Sequence, residues 1–250
     1  VPTVPHNVPF ALLGAGLLWF GWFGFNAGSA LAADGIAANA LVCTHSAAAA
    51  AMVTWLILDK LRGGHATAVG AATGVVVGLV AITPAAGFVS PLSAIAIGVL
   101  AAPCSFYALQ YRSKTKVDDT LDVFACHCVA GIAGAVLTGV FASKAVNPNG
   151  ADGLLFGNPR LVGVQILAVV ATIAFAALGS MGILTALRAV MPLRIPIDAE
   201  LSGIDLAEHG EEAYHGNDLS DLTGRSTPLG DAVVISASEI MSASPAIRRA

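Results

Sequence analysis

Asp122-Val-Phe-Ala-Cys-His127-Cys-Val-Ala-Gly131 runs without a break into Ile132-Ala-Gly-Ala-Val-Leu-Thr-Gly-Val-Phe-Ala142. After Asp122 the only group in this stretch that titrates near neutral pH is the imidazole of His127. The stretch is long enough for a bilayer span, which needs about 20 mostly apolar residues. An ionisable side chain at bilayer depth is costly and usually faces a bundle interior or a pathway, so His127 is the first candidate functional residue. It has two readings. In one, it hydrogen-bonds between helices and holds two spans together. In the other, it is a pore or relay imidazole, whose two nitrogens donate and accept at once near neutral pH. The second is preferred because intramembrane ionisable groups are seldom merely structural. Cys126, His127 and Cys128 suggest a metal site, but consecutive helical residues point about 100° apart and cannot converge on one ion. Neither a metal nor a cofactor is expected.

Composition extends this reading to the whole chain. Hydrophobic residues make up 56% of the 250 residues and charged ones 11%, against about 25% charged in a soluble domain. The expected fold is all-α: a polytopic transmembrane helical bundle with a polar C-terminal tail. A net charge of −4 offers no basic face for nucleic acid. Cys43, Cys104, Cys126 and Cys128 all lie in apolar segments, which predicts free thiols. No basic region precedes an apolar stretch and a small-residue cleavage site, so no cleavable signal peptide is visible. The chain opens on Val1 and reads as a processed or partial product.

Six candidate spans follow: Pro9–Ala33, Ile36–Leu58, Ala66–Thr83, Leu92–Tyr111, Leu121–Ala142 and Leu161–Val190. The third is the shortest. Gly70, Gly74 and Gly78 recur every four residues, as do Gly131 and Ala135. Small residues at that spacing let helix backbones approach, and packing is reading enough for them. One set of alternating loops carries Lys60, Arg62, Arg112, Lys114, Lys116, Arg188 and Arg194; the other carries only Lys144 and Arg160. The basic set is assigned to the cytoplasm, which puts both ends of the chain on that side of a cell membrane. Residues 1–192 are read as the membrane domain and 193–215 as a cytoplasmic segment. Residues 216–250 are read as a disordered tail, with a short helix at most over Ala232–Ile240.

Other residues invite chemistry. Asp122, near the cytoplasmic end of its span, suits a helix cap, an ion pair with a neighbouring span, or support for a relay; capping belongs more naturally to Asp118 or Asp119. The aromatic run Trp19-Phe-Gly-Trp-Phe-Gly-Phe25 ends in Asn26 and Ser29. It is either an interfacial belt or a cation site of ring faces and a hydroxyl. Enzyme readings fail for want of parts: no Gly-rich phosphate loop opens a helix, and no Gly-x-Ser-x-Gly elbow is present. His65, His209 and His215 are read as exposed residues without a role.

Five ordered motifs resemble the Amt/Mep/Rh ammonium transporter family. They are Gly21-Trp-Phe-Gly-Phe-Asn-Ala-Gly-Ser29, Thr44-His45 before an alanine run, Thr83-Pro-Ala-Ala-Gly87, Asp118-Asp119 with Asp122-Val-Phe-x-x-His127, and Gly203-Ile-Asp-Leu-x-x-His-Gly-Glu-x-Ala-Tyr214. The resemblance covers roughly residues 5 to 215 and matches the later six of the family's usual eleven spans. It implies a homotrimer in which each subunit has its own hydrophobic pore for ammonia. Phe25 would be one of two stacked gate rings, Ser29 the hydroxyl of an outer recruitment site, and His127 the second of a histidine pair. Trp22, Asn26, Thr83 and Asp122 would support the pore, and His45 is a secondary candidate. The segment Gly203–Tyr214 would couple subunits and meet PII-family signalling proteins. Three residues depart from the family pattern: Cys128 and Ala130 stand where Gly is usual, and Cys43 where Asn often precedes Thr-His. The family's first five spans, with the partner histidine and the other gate ring, are not in this sequence. The chain is therefore expected to be a fragment or to need a complementing polypeptide. The alternative function is a membrane ammonium sensor or regulatory scaffold acting through the tail.

Overall fold

The computed structural model describes Pro5 and residues 7–115 and 117–211. Every predicted span is helical. They are α1 (Val8–Gly28), α2 (Gly35–Gly63), α3 (Ala68–Ile82), α4 (Pro91–Arg112), a π-helix (Phe124–Val129) that continues as α5 (Ala130–Phe141), and α6 (Arg160–Arg188). Two short helices follow, α7 (Ile197–Ser202) and α8 (Ile204–His209), and no strand occurs among the described residues. Among the described residues, five helical segments are long and apolar enough to cross a membrane, and α3, at 15 residues, is shorter. The tail residues 216–250, with Ala232–Ile240, lie outside the described residues.

Helix limits follow local chemistry. Asn7, Asp34, Thr67 and Ser90 cap the starts of α1 to α4, each with a side-chain oxygen accepting from a first-turn N–H, which satisfies donors the helix leaves unpaired. Asp34 therefore begins α2, and α1 ends at Gly28, short of the expected Ala33. At its other end α2 runs on to Gly63, where Gly64 takes a left-handed φ of 77°.

Chain contacts divide the protein into two units, Val1–Gly179 and Ser180–Ala250. In the first, α2 is the central helix, packed on α1, α3 and α4. Its interior is built from small side chains: Cys43, Ala47, Ala48 and Ala51 of α2, Val77, Leu79 and Ile82 of α3, and Ala94, Ile97 and Ala101 of α4 are all inaccessible. Most longer apolar side chains point outward, as they do where lipid is the solvent. The glycine stripe of α3 serves packing. A Cβ on Gly78 would lie 2.6 Å from the Ala47 carbonyl oxygen, and one on Gly74 would lie 2.8 Å from Trp55 Cβ. On α5 the tight positions are Gly134, against the Ala81 backbone, and Gly139, against the Val162 backbone, and not Gly131, which has room.

The chain after α3 does not stop at the bundle surface. Residues 83–89 continue as turns with Ala85, Ala86 and Val89 buried, and non-helical backbone at such a depth needs protein partners. It has them. Asn39 Nδ2 of α2 donates to the carbonyls of Ala86 (3.2 Å) and Val89 (3.0 Å), Asn147 Nδ2 donates to Gly87 O (3.2 Å), and the Ser143 N–H donates to Phe88 O (2.9 Å).

In the second unit α7 and α8 meet at Gly203, whose φ of 104° is one that a residue with a Cβ rarely adopts. The motif that begins there is described as far as Glu211; residues 212–214 lie outside the described residues.

Candidate functional site: a chain of cavities along α1

The predicted residues fall into two groups, both beside α1. Phe25, Asn26, Ser29 and Thr83 line one cavity of about 390 Å³ together with Phe88 and Asn147. Trp22 reaches the same neighbourhood: its Nε1–H donates to Thr83 Oγ1 (2.8 Å), and its ring meets Phe25 edge-on with centroids 5.7 Å apart. Hydroxyl accounting singles out Ser29. Thr83 Oγ1 accepts from Trp22 and donates to Leu79 O, and Thr44 Oγ1 accepts from Asn26 Nδ2 and donates to Ala40 O. Ser29 Oγ donates to Phe25 O (2.7 Å) and accepts from no hydrogen-bond donor among the described residues. Its oxygen therefore keeps acceptor capacity that the other two hydroxyls have used.

His127 and Asp122 form the second group. They line a cleft of about 730 Å³ with Gly14 and Leu18 of α1, Val76 of α3 and Cys126. His127 is exposed to this cleft, and no hydrogen bond from its ring joins two helices among the described residues. Asp122 is ion-paired with Arg112 at the end of α4. The cap of the π-helix belongs to Asp119, whose carboxylate accepts from the N–H groups of Val123 and Phe124, both at 2.9 Å. Of the roles open to Asp122, the structure thus shows the ion pair.

An open face of α1 lies beside both groups. Between them lies an apolar groove of about 360 Å³ lined by Leu17, Leu18, Gly21, Trp22 and Phe25. Phe25 is shared with the Ser29 cavity and Leu18 with the His127 cleft. On its far side the cleft shares Val69, Thr73 and Asp122 with a polar cavity of about 720 Å³ that includes Asp59, Arg62, His65 and Gln110. Four spaces thus neighbour one another, each sharing at least one wall residue with the next. His45 is not among their lining residues; it stacks on Trp19 with centroids 5.1 Å apart. The aromatic run therefore splits, Trp22 and Phe25 toward the cavities and Trp19 toward His45.

Residues 2–214 match the family model described as the Ammonium Transporter Family. The chain belongs to the ammonium transporter family. An ammonium transporter of Aquifex aeolicus is 49% identical over 213 residues, a match that covers 85% of this chain and 50% of that protein. The crystal structure of Candida albicans Mep2 superposes with a TM-score of 0.75 at 34% identity, over 87% of this chain and 50% of Mep2. A solved structure titled Sensor Amt Protein gives 0.74 at 34% identity, over 82% of this chain and 50% of its own. This ammonium transporter family member thus spans about half the length of the relatives it matches. The family is one of membrane transporters and not of enzymes, as the want of catalytic motifs anticipates.

Sequence reasoning missed Arg112, Asn39, Asn147, Phe88 and the π-helix. Asn39 and Arg112 had visible signals: a polar residue in an alanine-rich span, and a base ten residues before an acid. The π-helix had none.

Proposed function

We propose that this chain supplies the later half of an ammonium pathway. Ammonium is taken up at the Ser29 cavity, loses a proton, crosses the apolar groove as ammonia and passes His127, which relays the proton. The observation that supports this is that four neighbouring cavities have Phe25, Leu18 and Asp122 as common wall residues. A bare cation in an apolar groove is prohibitively costly. At the entrance, the Ser29 oxygen and the faces of Phe25 and Trp22 replace part of its water. Neutral ammonia carries no such penalty through the groove, and the imidazole at its inner end has one nitrogen to accept a proton and another to give one up. Trp22, Asn26 and Thr83 hold the entrance, and Asp122 supports the inner cleft.

The charge asymmetry supports a cytoplasmic placement of the Arg62 end and of both chain ends. Residues 1–192 then form the membrane part of a homotrimer, and 193–215 a regulatory segment that meets a PII-family protein.

The test is a chimera in which residues 1–214 replace the matching half of the Aquifex aeolicus transporter. In proteoliposomes an ammonium jump should drive current or internal alkalinisation, and His127→Ala should lower it by about tenfold or more. A folded, inserted chimera that moves no ammonium overturns the proposal. Unchanged flux and selectivity in His127→Ala removes the relay. The likeness to a structure titled as a sensor favours one alternative, ammonium sensing through the tail. Ammonium-dependent protection of residues 193–211 without flux would select it.

A further inference from the structure

Asp122 has a φ of 55°, in the left-handed region that residues with a Cβ enter at a cost, and among the described non-glycine residues only Leu31 shares that sign. Such a conformation persists where its surroundings over-determine it. Arg112 grips the Asp122 carboxylate. The Asp122 carbonyl accepts from the Cys126 N–H at 2.9 Å, and Asp119 holds the next two N–H groups. Directly after this junction the chain winds as a π-helix over Phe124–Val129 before it becomes α-helical. The wider i→i+5 turn points successive side chains in directions an α-helix would not. Here it buries Cys126 (6% exposed) and leaves Cys128 exposed, with His127 between them facing the cleft.

We propose that Arg112 is a positioning residue for His127. By clamping Asp122 in its left-handed conformation it fixes where the π-helix begins, and so turns the imidazole toward the cleft and Cys126 into the core. Its functional meaning rests on the reading of His127 as a pathway residue. The structural effect does not. Without the clamp Asp122 returns to negative φ, the segment rewinds toward α-helix, and Cys126, His127 and Cys128 rotate together about the helix axis.

The native thiols report that rotation. The full chain in detergent is treated with N-ethylmaleimide, and rates at Cys126 and Cys128 are read by fragment mass spectrometry. Buried Cys43 serves as the folding control. In the wild type Cys128 should react at least about tenfold faster than Cys126, since exposure governs thiol reactivity. Arg112→Gln should bring the two rates within about threefold while Cys43 stays silent, as expected of a local change. Adding Asp122→Gly should restore the contrast, because glycine takes positive φ unaided. A contrast that survives Arg112→Gln, or that Asp122→Gly fails to restore, overturns the proposal. Should Arg112→Gln also expose Cys43, Asp122→Gly alone decides: it dispenses with the clamp and must keep the wild-type contrast, and loss of that contrast overturns the proposal. These labelling rates do not depend on flux, so failure here and failure of the ammonium pathway are separately visible.

Discussion

Replacing Asn39 with Ala tests whether side-chain donors hold the turn after α3. Asn39 Nδ2 donates to Ala86 O and Val89 O, on residues 2% and 0% exposed. Val89 O also accepts from Cys43 Sγ at 3.3 Å and keeps that weak bond, whereas Ala86 O has no other donor among the described residues. An orphaned buried acceptor costs about 1–3 kcal/mol and a weakened bond about 0.5–1.5, so Asn39→Ala should destabilise by about 2–4 kcal/mol. An ordinary interhelical side-chain bond in a membrane protein is worth only about 0.6 kcal/mol, because its groups find other partners when it breaks. The Ala86 carbonyl has no helix to return to, which is why the larger figure is expected. Cys43→Ala, which removes only the thiol bond and one sulfur atom, is the comparison, at about 1 kcal/mol. Both variants are measured by SDS-induced unfolding in mixed micelles, followed by circular dichroism. If Asn39→Ala loses no more than Cys43→Ala, the turn is not held by side-chain donors and the reasoning fails.

Gly98→Val should prevent stable folding, because a side chain there would enter the Ala47 carbonyl at the α2–α4 contact; the expected loss is about 3 kcal/mol or more, read as loss of a monodisperse species in detergent. Asp119→Ala should fray the π-helix by about 1 kcal/mol, seen as faster hydrogen exchange at Val123 and Phe124 with the rest of α5 unchanged. Trp22→Phe keeps the ring but loses the bond to Thr83 Oγ1; it should cost about 1 kcal/mol in stability and lower ammonium flux in the chimera. Gly203→Ala forces a Cβ onto a φ of 104°, and exchange across Ile204–His209 should rise by about fivefold as the junction is strained.

The helices were legible because hydropathy and length carry the information a bilayer demands. Each predicted span became a helix, and α2 and α6 ended near basic residues placed as a helix dipole favours. The ends were less legible where a cap competed with an apolar run: Ser29 reads as part of a span but lies just beyond α1, in the turn before Asp34. The resemblance of motifs gave Phe25, Ser29 and His127 their candidate roles, and the fold puts Phe25 and Ser29 in one cavity and His127 in another, both beside α1. The Ser29 hydroxyl could not be told from those of Thr44 and Thr83 without knowing which donors each one meets. Arg112 and Asp122, ten positions apart, looked like separate ends of a loop until the fold brought their side chains together.

The brevity of α3 reaches into how the chain is made. Its 15 residues rise about 22 Å, less than the roughly 30 Å of hydrocarbon to be crossed. The turns that follow depend on donors from α2 and from residues 143–147. On a ribosome, α2 is already present when α3 emerges, and the glycine stripe packs the two together. The donors to Gly87 and Phe88 arrive more than fifty residues later. Chains arrested before Ser143 should leave residues 83–89 open to protease, and chains arrested after Gly150 should protect them. In that interval the carbonyls of Gly87 and Phe88 lack the donors that later meet them.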